Sequence, residues 1–146
     1  MSTETFDKKI DDICIKMNEN MMLVVKNAIR KVVIEAQRPV NQGGKMHVDT
    51  GFLRWSGTAS LNELPYGETE GRQRGKDEKG VLAEYRVSND GGKTLNTVLA
   101  QMKLGDTFYF GWTARYAIYR ELYDGFMGSA VVNLQKHIND EARRLK

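Results

Sequence analysis

Apolar residues recur at alternating three- and four-residue steps through the N-terminal part of the chain, from about Thr5 to Gln37. This spacing places them on one face of an α-helix. The helix is expected to end before Pro39 and Gly43-Gly44, and Ser2 or Thr3 can cap its N-terminus. The pattern predicts one long N-terminal helix, whose apolar stripe consists of Phe6, Ile10, Ile13, Met17, Met21, Val24, Ala28 and Val32.

A second apolar set widens the stripe in the C-terminal half of this helix. It consists of Val25, Ile29, Val33 and Ala36. A wider apolar face indicates two packing neighbours, so we expect the C-terminal half to be enclosed and the N-terminal half to project. Two interpretations stay open for the projecting half: it packs on another subunit, or the whole stretch is an ordinary core helix.

The middle of the chain, residues 48–112, has the features of a sheet region. Strands are predicted within Val48–Leu64, over the alternating Val81–Val87, and over the aromatic-rich Thr107–Trp112. Asn89–Gly92 predicts a turn, and Thr94–Lys103 has the pattern of a short helix.

An exposed loop is predicted over residues 65–80, because glycine and charged residues dominate there and apolar residues are nearly absent. Such a loop is a candidate for ordering against a partner protein. Its basic residues are Arg72, Arg74, Lys76 and Lys79.

A second helix is predicted at the C-terminus, over residues 129–145, with Ser129 as its cap. Its helical spacing comes from Val131, Leu134, Ile138, Ala142 and Leu145. Helices before and after a run of strands favour an α+β fold, with the long N-terminal helix and the C-terminal helix packed on one antiparallel β-sheet. The length of 146 residues suits a single domain, 1–146.

Composition restricts the function classes. The formal charge is +3, from 22 basic against 19 acidic residues that are mixed along the chain, so DNA contact has weak support. Cys14 is the single cysteine, which precludes an internal disulfide; its place beside the apolar stripe predicts a buried thiol. The sequence has neither a signal-peptide layout nor an apolar run of membrane-spanning length, so we expect synthesis in the cytoplasm and no membrane partner.

Familiar catalytic and metal patterns have little support. Gly92-Lys93-Thr94 suggests a phosphate-binding loop, but that motif needs glycine where Val87 stands. His47 and His137 are far apart and lack ligand-type partners at helical spacing, so no metal site is predicted. The acid pair Asp140-Glu141 lies among basic residues on a predicted helix, a pattern typical of a solvated face.

The segment Val48–Ser56, Val-Asp-Thr-Gly-Phe-Leu-Arg-Trp-Ser, resembles the Val-Asp-Thr-Gly-x-Leu-Arg-x-Ser signature of phage tail-completion and minor tail-component proteins. Asp49 and Thr50 can bond the backbone across a turn, Gly51 permits a left-handed backbone, and Leu53 is expected to anchor the following strand. The same residues are also compatible with a turn that has no family meaning.

A second segment, Tyr116–Glu121, is similar to the family's Tyr-Ala-x-Tyr-x-Glu signature, which usually precedes a glycine. Here Gly125 comes later, and Met46-His47 stands where the family often has proline. The two signatures, in this order and flanked by two helices, extend the resemblance over most of the chain.

The resemblance implies a structural virion protein, made in the host bacterial cytoplasm, that completes the tail or joins it to the head at the neck of a tailed bacteriophage. It implies a ring, first of all a hexamer, that binds other neck and tail proteins and needs no substrate and no cofactor. We expect Asp49, Thr50, Gly51 and Arg54 to shape a sheet edge or a subunit contact. Tyr116, Tyr119 and Glu121 are expected at an interface, with core packing as the alternative for the two tyrosines.

Three alternatives remain. The first is another neck part, such as a tail terminator. The second is a small protein that binds DNA or lines a DNA channel through the basic loop. The third is an enzyme that uses Cys14 or the single Asp-Thr-Gly triplet, which in aspartic proteases supplies one of two paired carboxylates.

Overall fold

The computed structural model describes residues 3–48, 52–65 and 90–145. Several sequence predictions lie outside these ranges: the strand over Val81–Val87, the loop over 65–80 apart from Pro65, and two sets of candidate residues. The first set is Asp49, Thr50 and Gly51, and the second is Arg72, Arg74, Lys76 and Lys79.

The first element is α1, a helix over Thr3–Ala36 that closely matches the predicted span. Its N-terminal half projects, because every side chain described from Thr5 to Glu19 is exposed. Its C-terminal half is enclosed, with four buried positions at Val24, Ala28, Val33 and Ala36. The expected contrast between the two halves of the helix is therefore confirmed.

A tight loop follows α1 and brings the chain back toward the end of the helix. After a 3-10 turn over Val40–Gln42, the Gly44 N–H donates to the Pro39 carbonyl at 2.9 Å, and the Met46 N–H donates to the Arg38 carbonyl at 3.3 Å. A Cβ atom on Gly44 would lie 1.8 Å from the Arg38 carbonyl oxygen. Only glycine therefore fits at this close approach.

Two antiparallel strands form the sheet of the described residues: β1 over Gly57–Leu61 and β2 over Phe108–Trp112. The strand predicted at Thr107–Trp112 is confirmed. The strand predicted within Val48–Leu64 is shorter than expected, because Phe52–Trp55 form a short helix, α2. The helices and this sheet together confirm the predicted α+β class, although helix predominates among the described residues.

The helix predicted at Thr94–Lys103 is present as α3, over Asp90–Gln101. The turn predicted at Asn89–Gly92 is wrong, because α3 already includes the two glycines. Glycine disfavours a helix interior by about 1 kcal/mol, a cost that tertiary packing overrides. Here Leu95 and Leu99 hold the helix, as both are buried.

Three helices end the described chain: α4 over Ala117–Asp124, α5 over Phe126–Val131 and α6 over Leu134–Arg144. A single helix over 129–145 is thus a wrong prediction, and Ser129 lies inside α5 rather than capping a helix. The break comes at Asn133, whose side-chain amide donates to Glu35 of α1 and to the Ser129 carbonyl. Such local side-chain bonds compete with helix continuation.

The buried apolar residues form two clusters. The first core cluster joins the loop after α1 to α2 and α5, through Met46, Phe52, Leu53, Ala114 and Phe126. The second core cluster joins α1 to α3, through Val33, Leu95, Leu99 and Met102, and Phe108 and Phe110 of β2 pack against it. The sheet also contacts α5, because the Trp112 and Phe126 rings pack edge to face with their centroids 4.9 Å apart. Both clusters depend on residues far apart in sequence.

Candidate functional site

The two segments that carry the resemblance meet in the first core cluster. Phe52 and Leu53 of the first segment are buried there. Tyr116 of the second segment packs against the cluster, with its ring centroid 6.2 Å from that of Phe52. Tyr116 therefore contributes to core packing, and the two segments lie side by side in the folded chain.

Leu53 and Arg54 hold α2 in place. The Leu53 carbonyl accepts a hydrogen bond from the Ser56 hydroxyl at 2.7 Å, which closes the helical turn just before β1. The Arg54 carbonyl accepts a hydrogen bond from the side-chain amide of Gln37 at 3.3 Å. Leu53 thus anchors α2, whereas we expected it to anchor the strand that follows.

Glu121 stabilises the junction between α4 and α5. Its carboxylate accepts backbone hydrogen bonds from Met127 and Gly128, each at 2.8 Å. Gly125 between the helices has φ of 62°, a left-handed conformation that favours glycine. A carboxylate at a helix N-terminus satisfies N–H groups that lack partners within the helix. The geometry gives this signature residue a role inside the subunit.

A second polar contact ties α4 to the loop ahead of the first signature segment. Asp124 has a side chain only 3% exposed, and it is paired with His47 at 2.8 Å and with Arg120 at 2.7 Å. Arg120 binds both carboxylate oxygens of Asp124. A buried carboxylate needs such partners, so α4 and the His47 loop are held together.

The N-terminal part of α1 forms the first candidate interaction surface. We call residues 3–21 of α1 the arm. Its apolar face, the arm stripe, consists of Phe6, Ile10, Ile13, Met17 and Met21, each at least 43% exposed. Cys14 beside the stripe is exposed as well, which corrects the prediction of a buried thiol, because the described part of the chain places no element over the arm.

The second candidate surface lies on α4. Its outer face, which we call the α4 patch, carries Ile118, Tyr119, Leu122 and Tyr123, each at least 63% exposed. This places the candidate interface residue Tyr119 at the surface. The helix α4 was not predicted from the sequence, although the four-residue spacing of Ile118 to Leu122 and of Tyr119 to Tyr123 is a helical signal.

Charged side chains join α1 to α6. Lys31 pairs with Glu141 at 2.6 Å, and Glu35 contacts His137 at 2.9 Å. Glu141 is buried, which corrects its predicted place on a solvated face; its pairing with Lys31 and the bond from Asn27 make that burial tolerable. These contacts run antiparallel along the two helices, so α6 covers α1 at least from Asn27 to Glu35.

The pKa values of both glutamates reflect these contacts. Burial acts to raise the pKa of Glu35, but hydrogen bonds from His137 and Asn133 outweigh it and hold the pKa below its ordinary value. The bond from Lys31 likewise lowers the pKa of Glu141. Both carboxylates are therefore favoured in the ionised form at neutral pH.

An apolar hollow of about 350 Å³ opens between α1, β2 and the α5–α6 region. Its surface is mainly apolar, and its lining includes Ile29, Trp112 and Val131. The Trp112 indole N–H is buried and has no hydrogen-bond partner among the described residues. The hollow suits an apolar group rather than a charged ligand.

In the described ranges, no three His, Cys, Asp or Glu side chains lie close enough together to hold a metal ion. None of the helices there is both long enough and apolar enough to cross a membrane. Comparison of the chain with protein-family models, with curated proteins and with solved structures finds no match.

Proposed function

We propose that this chain is a structural subunit that acts by self-assembly, without a substrate or a cofactor. On the resemblance of its two signature segments, its place is the neck of a tailed bacteriophage, where it completes the tail or joins the tail to the head. The assembled form in this proposal is a ring of six copies that binds other neck and tail proteins.

The observation that carries the proposal is the exposed arm stripe. Five large apolar side chains, from Phe6 to Met21, lie in line on a projecting helix. Burying such a side chain fully contributes about 1.5–3 kcal/mol, so roughly half that amount is available at each of these half-exposed positions. Contiguous apolar surface of this extent is typical of protein–protein interfaces.

The arrangement of the two signature segments gives further support. The first segment supplies Phe52 and Leu53 to the first core cluster, and the second supplies Tyr116 to the same cluster. Their contact in the fold places both signatures in one structural unit, which supports the proposal. The α4 patch follows directly from the second segment and adds another apolar surface.

The mass of the native protein tests the self-assembly. Light scattering over a concentration series should give a closed oligomer, with six copies as the expected number, and electron microscopy should show rings. A chain that stays monomeric at every concentration would contradict the proposal. Salt-dependent retention of duplex DNA by such a monomer would support the alternative of a DNA-binding protein.

Labelling tests the proposed place in the virion. An antibody against the purified chain should bind phage particles at the junction between head and tail. Binding along the tail tube, or at the tail tip, would leave self-assembly intact but would contradict a neck position. Absence from purified particles would restrict the chain to a role outside the mature virion.

A further inference from the structure

We infer that the arm stripe of one copy packs against the α4 patch of a second copy, in a head-to-tail contact. This inference rests on the proposed self-assembly and names the two surfaces that meet. A contact between two different surfaces of the same chain leaves one of each surface free on a dimer, so it propagates until rotation closes a ring.

The arm stripe continues the face of α1 on which α6 packs. Ile10, Met17, Val24 and Lys31 follow one another at seven-residue steps, which is close to two helical turns, so they lie in one line. At Lys31 the line is covered by α6 through Glu141, whereas Ile10 and Met17 are exposed. The uncovered part of the line is therefore shaped to receive another helix.

The α4 patch has the form of a helix that can occupy this line. Its four side chains lie at three- and four-residue spacing on a helix of eight residues. Apolar anchors at this spacing are how an amphipathic helix packs against an apolar groove. From the exposed fractions, each surface offers roughly 500 Å² of apolar side chain. Their sum, about 1,000 Å², is the most that these side chains can bury and equals the lower limit for a specific interface.

The two surfaces of one copy lie too far apart to meet. Asp124 at the end of α4 pairs with His47, in the loop that follows the C-terminal end of α1. The centre of the arm stripe, at Ile13, lies about 35 Å along the helix from Ala36, at 1.5 Å per residue. Because α1 is one unbroken helix, the arm must find the α4 patch of a different copy.

Pairing between two arms fits less well. Lys9 and Lys16 flank one edge of the stripe, so an antiparallel pair of arms would place lysines of both copies opposite each other. In a parallel pair, Lys9 of one arm would face Cys14 of the other, and Lys16 would face Met21. Neither lysine would then meet an opposite charge. Either pairing would also leave the α4 patch in water, whereas the head-to-tail contact covers both surfaces.

Three single substitutions test the contact. Ile13→Asp places a charge on the arm stripe, and Leu122→Asp places one on the α4 patch. Ile15→Asp is the matched control, because Ile15 is 55% exposed but lies on the opposite face of the arm. All three positions are exposed, so circular dichroism and thermal unfolding should show a folded subunit in each case. If Leu122→Asp fails to fold, Tyr123→Asp replaces it.

Light scattering of the variants should show that Ile13→Asp and Leu122→Asp are each monomeric under conditions in which the wild type and Ile15→Asp assemble. Mixed in equal amounts, the two monomeric variants should form a dimer with twice the subunit mass. One has an intact α4 patch and the other an intact arm, so a single contact can form and cannot propagate.

The outcomes separate this inference from the proposed function. A Leu122→Asp variant that assembles like the wild type, or a mixture that stays monomeric, would overturn the head-to-tail contact while self-assembly stands. A wild type that is monomeric at every concentration would overturn both. Equal loss of assembly in Ile13→Asp and Ile15→Asp would show that the arm stripe is not the face that docks.

Discussion

Glu121→Ala is the sharpest test of what the second signature segment does. The substitution removes the carboxylate that accepts hydrogen bonds from Met127 and Gly128 at 2.8 Å. Both residues are exposed, so water can replace the lost acceptor. Replacing a side chain that caps a helix costs about 0.5–2 kcal/mol, and two charge-assisted bonds place this case near the upper end, at about 1–2 kcal/mol.

This loss corresponds to a fall in the unfolding temperature of about 2–8 °C for a chain of this size. Glu121→Gln should lose about half as much, because one amide oxygen can still accept a hydrogen bond. Urea unfolding followed by circular dichroism, at one fixed protein concentration, measures both variants. Glu19→Ala removes an exposed glutamate of α1 and is the control. Its free energy of unfolding should differ from that of the wild type by less than about 0.5 kcal/mol, as is typical of surface sites.

The same samples show whether Glu121 acts within the subunit or at an interface. We expect the Glu121→Ala protein to assemble as the wild type does, because its carboxylate is engaged by its own backbone. A variant with unchanged stability that no longer assembles would refute this reasoning. In that case Glu121 would be an interface residue, as the sequence pattern alone suggests.

Three further predictions concern the core, the loop after α1 and the contact with α6. Leu99→Ala should lower the free energy of unfolding by about 2–5 kcal/mol in urea titration, because Leu99 is fully buried in the second core cluster. Gly44→Ala should markedly lower the thermal unfolding temperature, because the added Cβ would clash with the Arg38 carbonyl. Gly105→Ala is the comparison: an added Cβ there meets nothing within 4 Å, so this variant measures the effect of backbone strain alone. The fold lowers the pKa of Glu35 below its ordinary value of 4.5, so the stabilising effect of the ionised carboxylate is present above that pH and is lost as the pH falls through the lowered value. The urea midpoint of Glu35→Gln should therefore change less between about pH 5 and pH 3 than that of the wild type.

Hydropathy periodicity was sufficient to predict α1 because its apolar stripe is long and regular. It also indicated which half of the helix is enclosed, since the added apolar positions such as Val33 and Ala36 are buried. The strand rich in aromatic residues, β2, was predictable for a similar local reason. These elements carry their structural signal within their own sequence.

The C-terminal region could not be predicted in the same way, because distant contacts decide where its helices break. The interruption at Asn133 depends on Glu35, a residue of α1 that no local pattern connects to it. The left-handed turn at Gly125 depends on Glu121, which serves the following helix rather than its own. Glu35 lies outside any local sequence window, whereas Glu121 is close to Gly125 in sequence but helical periodicity does not show that its side chain bonds to the following helix.

Of the candidate site residues, Tyr119 and Leu53 show what the sequence can and cannot provide. Both belong to short signatures, yet one is exposed on the α4 patch and the other is buried in α2. Residue type and spacing do not distinguish these two environments, because apolar and aromatic residues are used both in cores and at interfaces. Burial in the folded chain is what separates them.

The continuity of α1 has a mechanical consequence. The enclosed half of the helix is fixed by its contacts with α5, α6 and the second core cluster, and the arm extends from it without a break. The direction of the arm is therefore set by how α1 packs in the core, and in the proposed assembly this packing would set the angle between neighbouring subunits. One residue inserted near Asn20 would rotate the arm stripe by about 100° and advance it by about 1.5 Å, so in the proposed ring it would change the angle between neighbouring copies.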